Sequence, residues 1–291
     1  MTKEDLTKRL GNGTLILDGA TGSNLMKAGM PKGICTEQWV AEHPDAIMEL
    51  QKAYAEAGSD IVYAPTFMAN PLSLATHGLA AETERLNHTL VGLSRKAVGD
   101  QVLVAGDLTT TGKLMEPLGP MKYEDLYESY KKQISCLADA GVDLLVAETM
   151  LASNETLVIL DAAQSVCDLP VFCTLTMEAD GSLFFGGNIF DTVEELEAMG
   201  AFAVGCNCST GPDQLESVIA GIRQRVSIPV IAKPNAGMPT ISPETGEAVY
   251  SMEPEEFAKS MLKLKAAGAS ILGGCCGTTP EFIRKLKKAL N

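Results

Sequence analysis

Two short cysteine motifs concentrate the reactive side chains of this chain. Gly205-Cys206-Asn207-Cys208 is the first, and Gly273-Gly274-Cys275-Cys276-Gly277-Thr278 is the second. Adjacent cysteines form a strained disulfide, but a glycine-flanked turn lets both face one metal ion. Three thiolates with an open fourth position are the donor set of a catalytic zinc, and soft sulfur ligands select zinc over magnesium or calcium. Either pair taken alone reads equally well as buried small apolar residues. Which member of the first pair ligates is open at this level. Cys206 and Cys208 share a face in an ideal strand, although only Cys208 falls at the strand's end. Cys35, Cys136, Cys167 and Cys173 have no partner in sequence and read as structural.

Thiols so far apart in sequence need a fold that brings the segments carrying them together. Short apolar runs at Thr14–Leu17, Asp60–Ala64, Gln101–Gly106, Leu144–Ala147, Val171–Thr176, Ala203–Gly205, Val230–Lys233 and Ser270–Gly273 read as strands. Most are continuous rather than alternating, as strands of a parallel sheet covered on both faces should be. Amphipathic stretches such as Ala46 to Ala57 and Tyr123 to Ala140 separate them. Glycines at 58, 141, 200 and 268 sit where a helix would end before the next strand. The pattern predicts an α/β fold, a single (β/α)8 TIM barrel over residues 1–291, with a doubly wound sheet as the alternative. Barrel chemistry gathers at the C-terminal ends of the strands. Those ends carry Asp18, Thr66, Asp107, Glu148, Thr176, Cys208, Asn235 and the pair Cys275 and Cys276.

The 291 residues carry 23 Lys+Arg against 37 Asp+Glu, a formal charge of −14, which offers no electrostatic footprint for nucleic acid or an anionic membrane. No apolar run is long enough to span a bilayer, and Met1–Gly13 is too polar for a secretory signal. Eight cysteines in a chain of this length are too few for a disulfide scaffold, so a cytoplasmic protein with reduced thiols is expected. Gly19-Ala20-Thr21-Gly22 lacks the lysine of a phosphate loop and the full dinucleotide fingerprint. His43, His77 and His88 fall away from strand ends and read as surface or capping residues, and Trp39 reads as packing.

Four motifs, taken in order, resemble the homocysteine S-methyltransferase family from about residue 13 to the C-terminus. They are Leu17-Asp18-Gly19-Ala20-Thr21-Gly22, Gly205-Cys206-Asn207-Cys208, Pro234-Asn235-Ala236-Gly237 and Gly273-Gly274-Cys275-Cys276-Gly277-Thr278-Thr279-Pro280. The Gly277-Thr278-Thr279-Pro280 ending is more like the homocysteine module of cobalamin-dependent methionine synthase than the S-methylmethionine enzymes, which usually carry Arg after the cysteines. The resemblance implies zinc on Cys208, Cys275 and Cys276 and homocysteine as the methyl acceptor. The zinc-bound thiolate would then attack the methyl group of a methyl-corrinoid to give methionine. It also implies that Asp18 and Glu148 hold the substrate's amino group, and that Asn235 can fill the fourth zinc position when no thiol is bound.

Residue by residue, structural alternatives remain. Asp18 could be a turn or helix-capping residue, and Asn235 a left-handed turn residue. Gly19 and Ala20 make a turn whose backbone N–H groups can approach a ligand closely, and Asn207 is grouped with them at the substrate or hydrogen-bonds within its own loop. The chain departs from the family pattern at Ala64-Pro65, at Met68-Ala69-Asn70-Pro71 and at Met150, all beside the expected pocket, so these positions bear on the acceptor thiol. No cobalamin or folate domain fits beside the barrel, so the corrinoid is expected on a separate protein or domain. The alternatives are S-methylmethionine as donor, another acceptor thiol, or a non-catalytic zinc-binding barrel subunit.

Overall fold

The structure is a computed structural model and describes residues 1–178, 180–242 and 248–291. Eight parallel strands form the barrel: β1 (Leu15–Ile16), β2 (Ile61–Tyr63), β3 (Leu103–Leu108), β4 (Leu144–Met150), β5 (Val171–Leu175), β6 (Ala203–Asn207), β7 (Val230–Lys233) and β8 (Ala269–Leu272). Each pairs in parallel with its neighbours, β8 lies between β7 and β1, and a Leu17–Ile61 bridge joins the two remaining edges. Every strand expected from the apolar runs is present, within a few residues. A small hairpin, Thr240–Ile241 against Ala248–Val249, lies outside the barrel.

Strand periodicity sorts the apolar residues into two layers. Leu15, Tyr63, Leu103, Val146, Phe172 and Ile231 point inward and pack together. Ile16, Val62, Val104, Leu145, Val204 and Cys206 point outward into a larger cluster with the helices. Those helices, one after each strand, are Pro44–Ala57, Thr83–Val98, Tyr123–Asp139, Ser153–Val166, Ile189–Ala198, Glu216–Arg225, Pro254–Ala266 and Pro280–Leu290. The four joint glycines adopt φ of 106°, 83°, 91° and 120°, the left-handed region that a residue with a Cβ avoids. At the N-terminal end of the barrel, helix Lys3–Gly11 inserts the fully buried Leu6 into the inward cluster.

Among the glycines, Gly205 makes the tightest approach to a neighbouring backbone. A Cβ there would lie 1.9 Å from the Ile231 carbonyl oxygen of β7, a backbone atom that cannot swing aside. Gly205→Ala is therefore expected to cost about 3 kcal/mol or more, the upper end of overpacking penalties. Urea unfolding would read this as a lower midpoint at an unchanged slope.

Candidate active site at the barrel mouth

Cys208, Cys275 and Cys276 meet at the C-terminal mouth, with their sulfur atoms all within 4.8 Å of one another and the Cys208 and Cys276 sulfurs 3.5 Å apart. Sulfurs on a tetrahedral zinc at 2.3 Å would stand about 3.8 Å apart, so the cluster fits that ion with little movement. Cys206 faces the helices, where burial pushes its thiol up to about 12. An ideal continuation of β6 would send Cys208 the same way. Instead Cys208 adopts φ 52°, and this left-handed residue turns its thiol to the mouth. One backbone angle thus separates Cys208, which joins the cluster, from Cys206, which does not. Hydrogen bonds from Cys208 and then Cys275 hold the Cys276 thiol well below the usual cysteine range, with a further bond from the Tyr250 hydroxyl.

Asn235 also fits the metal reading. It keeps a right-handed or extended backbone, so the left-handed turn reading does not apply. Its neighbours bind the cysteine turn, with Cys275 N–H donating to Pro234 O at 2.7 Å and Ala236 N–H donating to Cys276 O at 2.9 Å. Its Oδ1 is buried without a hydrogen-bond partner, an oxygen suited to a fourth ligand.

Deeper in the mouth lies a charge cluster. Asp18 is 1% exposed and accepts the Tyr63 N–H at Oδ2 (2.8 Å), so it reaches across to β2 rather than capping the helix Gly22–Lys27. Lys233, the last residue of β7, places Nζ 2.9 Å from Glu148 Oε1, 3.7 Å from Asp18 Oδ1 and 4.7 Å from the Tyr63 ring centre. Burial pushes the Asp18 carboxyl up to about 7, against the pull of Lys233 and the Tyr63 amide. Glu148 is also raised by burial and Asp107 strongly so, with Glu148 adding to Asp107. Burial works against the Lys233 ammonium, but Glu148 and Asp18 hold it well above the usual lysine range. Asp18 Oδ1, Asp107 Oδ1, Tyr63 Oη and Thr174 Oγ1 are buried without hydrogen-bond partners, which leaves two carboxylate oxygens and two hydroxyls able to meet a polar ligand.

The other expected residues take more structural places. Ala20 N–H donates to Thr278 Oγ1 (3.1 Å), which commits that amide to the protein. A Cβ on Gly19 would lie 2.6 Å from Tyr54 Oη and 2.7 Å from Thr278 Oγ1, so the turn is packed closely against its support. Asn207 is fully buried and bonds to Thr149 on β4, not within its own loop. Thr66 exchanges hydrogen bonds with the Asp107 backbone, tying the β2 and β3 ends together. Trp39 stacks on His43 at 4.5 Å, as its packing role predicts. Lys233 was not among the residues singled out by sequence. A lysine closing an apolar run reads as the strand's polar boundary, and only its 3% exposure marks it as internal.

An acid with Asp18's shift gives the site a pH signature. A ligand ammonium needs the carboxylate form, which Asp18 reaches as pH rises through about 7. The KM for an amino-bearing acceptor is therefore expected to fall across pH 6 to 8, and that slope to vanish in Asp18→Asn. Initial rates over that range would test it.

A family model described as homocysteine S-methyltransferase matches residues 15–290. The methionine synthases of Mycobacterium leprae and Mycobacterium tuberculosis are each 29% identical to the chain over 98% of its length. The match takes up 25% of either relative, so the chain spans about a quarter of the curated relatives it matches. Among solved structures, the oxidized form of the homocysteine methyltransferase MmuM from Escherichia coli superposes with a TM-score of 0.79 at 24% identity, over 94% of this chain and 95% of that one. Its metallated form gives 0.78 at 24% identity, over 95% and 96%. At that identity the likeness speaks for the barrel fold.

Proposed function

The chain belongs to the homocysteine S-methyltransferase family, and from that premise we propose that its mouth methylates the thiol of homocysteine, using zinc and a methyl-corrinoid donor on another protein or domain. The observation that carries this reading is the placement of three convergent thiols and a buried acid pair at one mouth. The first suits a metal-assisted thiol and the second an amino acid's ammonium. Cys208, Cys275 and Cys276 would hold zinc, with the unpartnered Asn235 Oδ1 as the candidate fourth ligand. When bound, zinc supplies the Lewis acidity that brings a thiol with a pKa above neutrality into its thiolate form at pH 7.

The chain's own residues do the rest. Asp18 Oδ1 and Glu148 would face the acceptor's ammonium, while the Lys233 ammonium offsets part of their negative charge and favours their ionised forms. In the transfer itself, sulfur forms a bond to the methyl carbon as the donor's bond to that carbon breaks and the donor keeps the electron pair. A thioether would be a poor ligand for that ion, so the three-thiol site would not retain the methylated product. The mouth's rim favours a macromolecular donor over a small free one. Met68, Leu118, Phe184, Met238 and Ile241, in segments that follow strand C-terminal ends, are all at least 40% exposed. Apolar side chains gathered on one face suit contact with a protein surface.

Among the described residues no helix is long and apolar enough to cross a membrane. The whole mouth lies within one barrel, and we take residues 1–291 as a single domain of this type. The deciding experiment is methionine formation from homocysteine by the zinc-loaded protein, with methylcobalamin and S-methylmethionine in parallel. Turnover with methylcobalamin alone is the expected result. Turnover with S-methylmethionine alone overturns the donor assignment, and turnover with neither, zinc being bound, overturns the reading of the acceptor.

A further inference from the structure

Two non-glycine residues among those described have a left-handed backbone, Thr149 at φ 58° and Cys208 at φ 52°. For a β-branched threonine this is an outlier, and such residues persist only where their surroundings hold them. Thr149 sits in the irregular end of β4, where the register with β5 shifts between Ala147 and Met150, immediately after Glu148. Cys208 follows β6. One side chain lies next to both. Asn207 accepts the Thr149 N–H at Oδ1 (3.0 Å), donates from Nδ2 to Thr149 Oγ1 (2.7 Å), and places the same Nδ2 3.9 Å from Cys275 Sγ. It is itself fully buried, its inward direction set by the alternation of β6.

We propose that Asn207 is a positioning residue that locks the acid side of the mouth to its thiol side. Its carboxamide closes a two-point clasp on Thr149, and this fixes the turn that aims Glu148 toward Lys233. The second Nδ2 hydrogen supports the Cys275 sulfur. Its own backbone leads directly into the left-handed turn that brings Cys208 to the cluster. Metal site and amino-group site are thereby held in one register by a side chain that touches neither substrate nor metal. The amino-group half of this inference rests on the function proposed above, whereas the thiol half needs only metal binding.

The test uses the full chain as the Asn207→Ala and Asn207→Asp variants, with two readouts. Zinc affinity is measured by competition with a chromogenic chelator. Acceptor binding is measured from the visible spectrum of the cobalt(II)-substituted protein, titrated with homocysteine and with 4-mercaptobutanoate, its analogue lacking the amino group. In Asn207→Ala zinc should bind 10- to 100-fold more weakly, the usual effect of losing a partner of a metal ligand. The preference for homocysteine over 4-mercaptobutanoate should also fall about tenfold. Asn207→Asp can still accept from both Thr149 donors but sets an anion beside Cys275. It should keep the thiol preference and still lose zinc affinity. Equal weakening of both thiols in Asn207→Ala, or zinc affinity unchanged in both variants, would overturn the proposal. If Asn207→Ala fails to fold, the split between the two readouts in Asn207→Asp decides. A wild-type protein that binds zinc but shows no preference between the thiols would refute the proposed acceptor, and the zinc measurements would still judge the Cys275 contact.

Discussion

Cys276→Ser should lower methyl transfer at least about a thousandfold and leave the dialysed protein with well under one zinc per chain. Losing an outer partner of a metal ligand already costs 10- to 100-fold, and on the proposed reading the substitution removes a ligand itself. The serine hydroxyl stays protonated at neutral pH, so it neither matches the soft ion nor supplies the third negative charge. Cys276 is the thiol most strongly biased toward its thiolate, held there by Cys208, Cys275 and Tyr250. Cys206→Ser is the matched control. Its side chain is buried among the helices, so the hydroxyl should cost about 1–3 kcal/mol of stability while zinc content stays unchanged. Zinc analysis after exhaustive dialysis, paired with initial rates, separates the two. Full zinc and full activity in Cys276→Ser would rule out the three-thiol site.

The contrast between those two cysteines shows which parts of the site were legible in sequence. Barrel strands covered on both faces leave a strong trace, because inward and outward positions are both apolar, and so the runs from Leu15 to Leu272 could be read directly. Polar residues closing such runs, Asp18, Glu148 and the Cys275–Cys276 pair, were legible for the same reason: they interrupt a pattern. What sequence could not supply were departures from ideal strand geometry. Extrapolated strand alternation aligns Cys208 with Cys206, and only the left-handed angle separates them. The bulge that ends β4 depends on a carboxamide from β6, a partner 58 positions away. No local pattern encodes such a contact. Lys233 escaped for a subtler reason. A lysine at a strand's end is ordinarily solvated, and its burial follows from two acids contributed by β4 and by the turn after β1.

That lysine carries the second large effect. Lys233→Met removes the only cation paired with Asp18 and Glu148 among the described ion pairs, while the methionine fills much the same volume. Breaking a buried pair by removing one partner typically costs about 3–5 kcal/mol, because the remaining charge is uncompensated. The acids have an escape, which is to bind protons, and this makes the cost depend on pH. Asp18 already titrates near 7 with Lys233 opposing the rise, so its folded-state value must climb further once the ammonium is gone. Between the ordinary carboxylate value and that raised value, the folded state holds a proton that the unfolded chain has released. Stability therefore falls as pH rises through this window, and the window is wider in the variant. The deficit of Lys233→Met against wild type should be small near pH 5 and larger by about 1 kcal/mol or more at pH 8, as measured by urea unfolding at both values. A deficit of equal size at both would mean that lost packing, not lost charge, dominates. The same protonation of Asp18 would take away negative charge that an ammonium needs, so the homocysteine KM at pH 7 should rise about tenfold, the equivalent of one pKa unit. Lys233 would then be what holds down the rise that burial imposes on Asp18 and Glu148, so that they can receive an amino group.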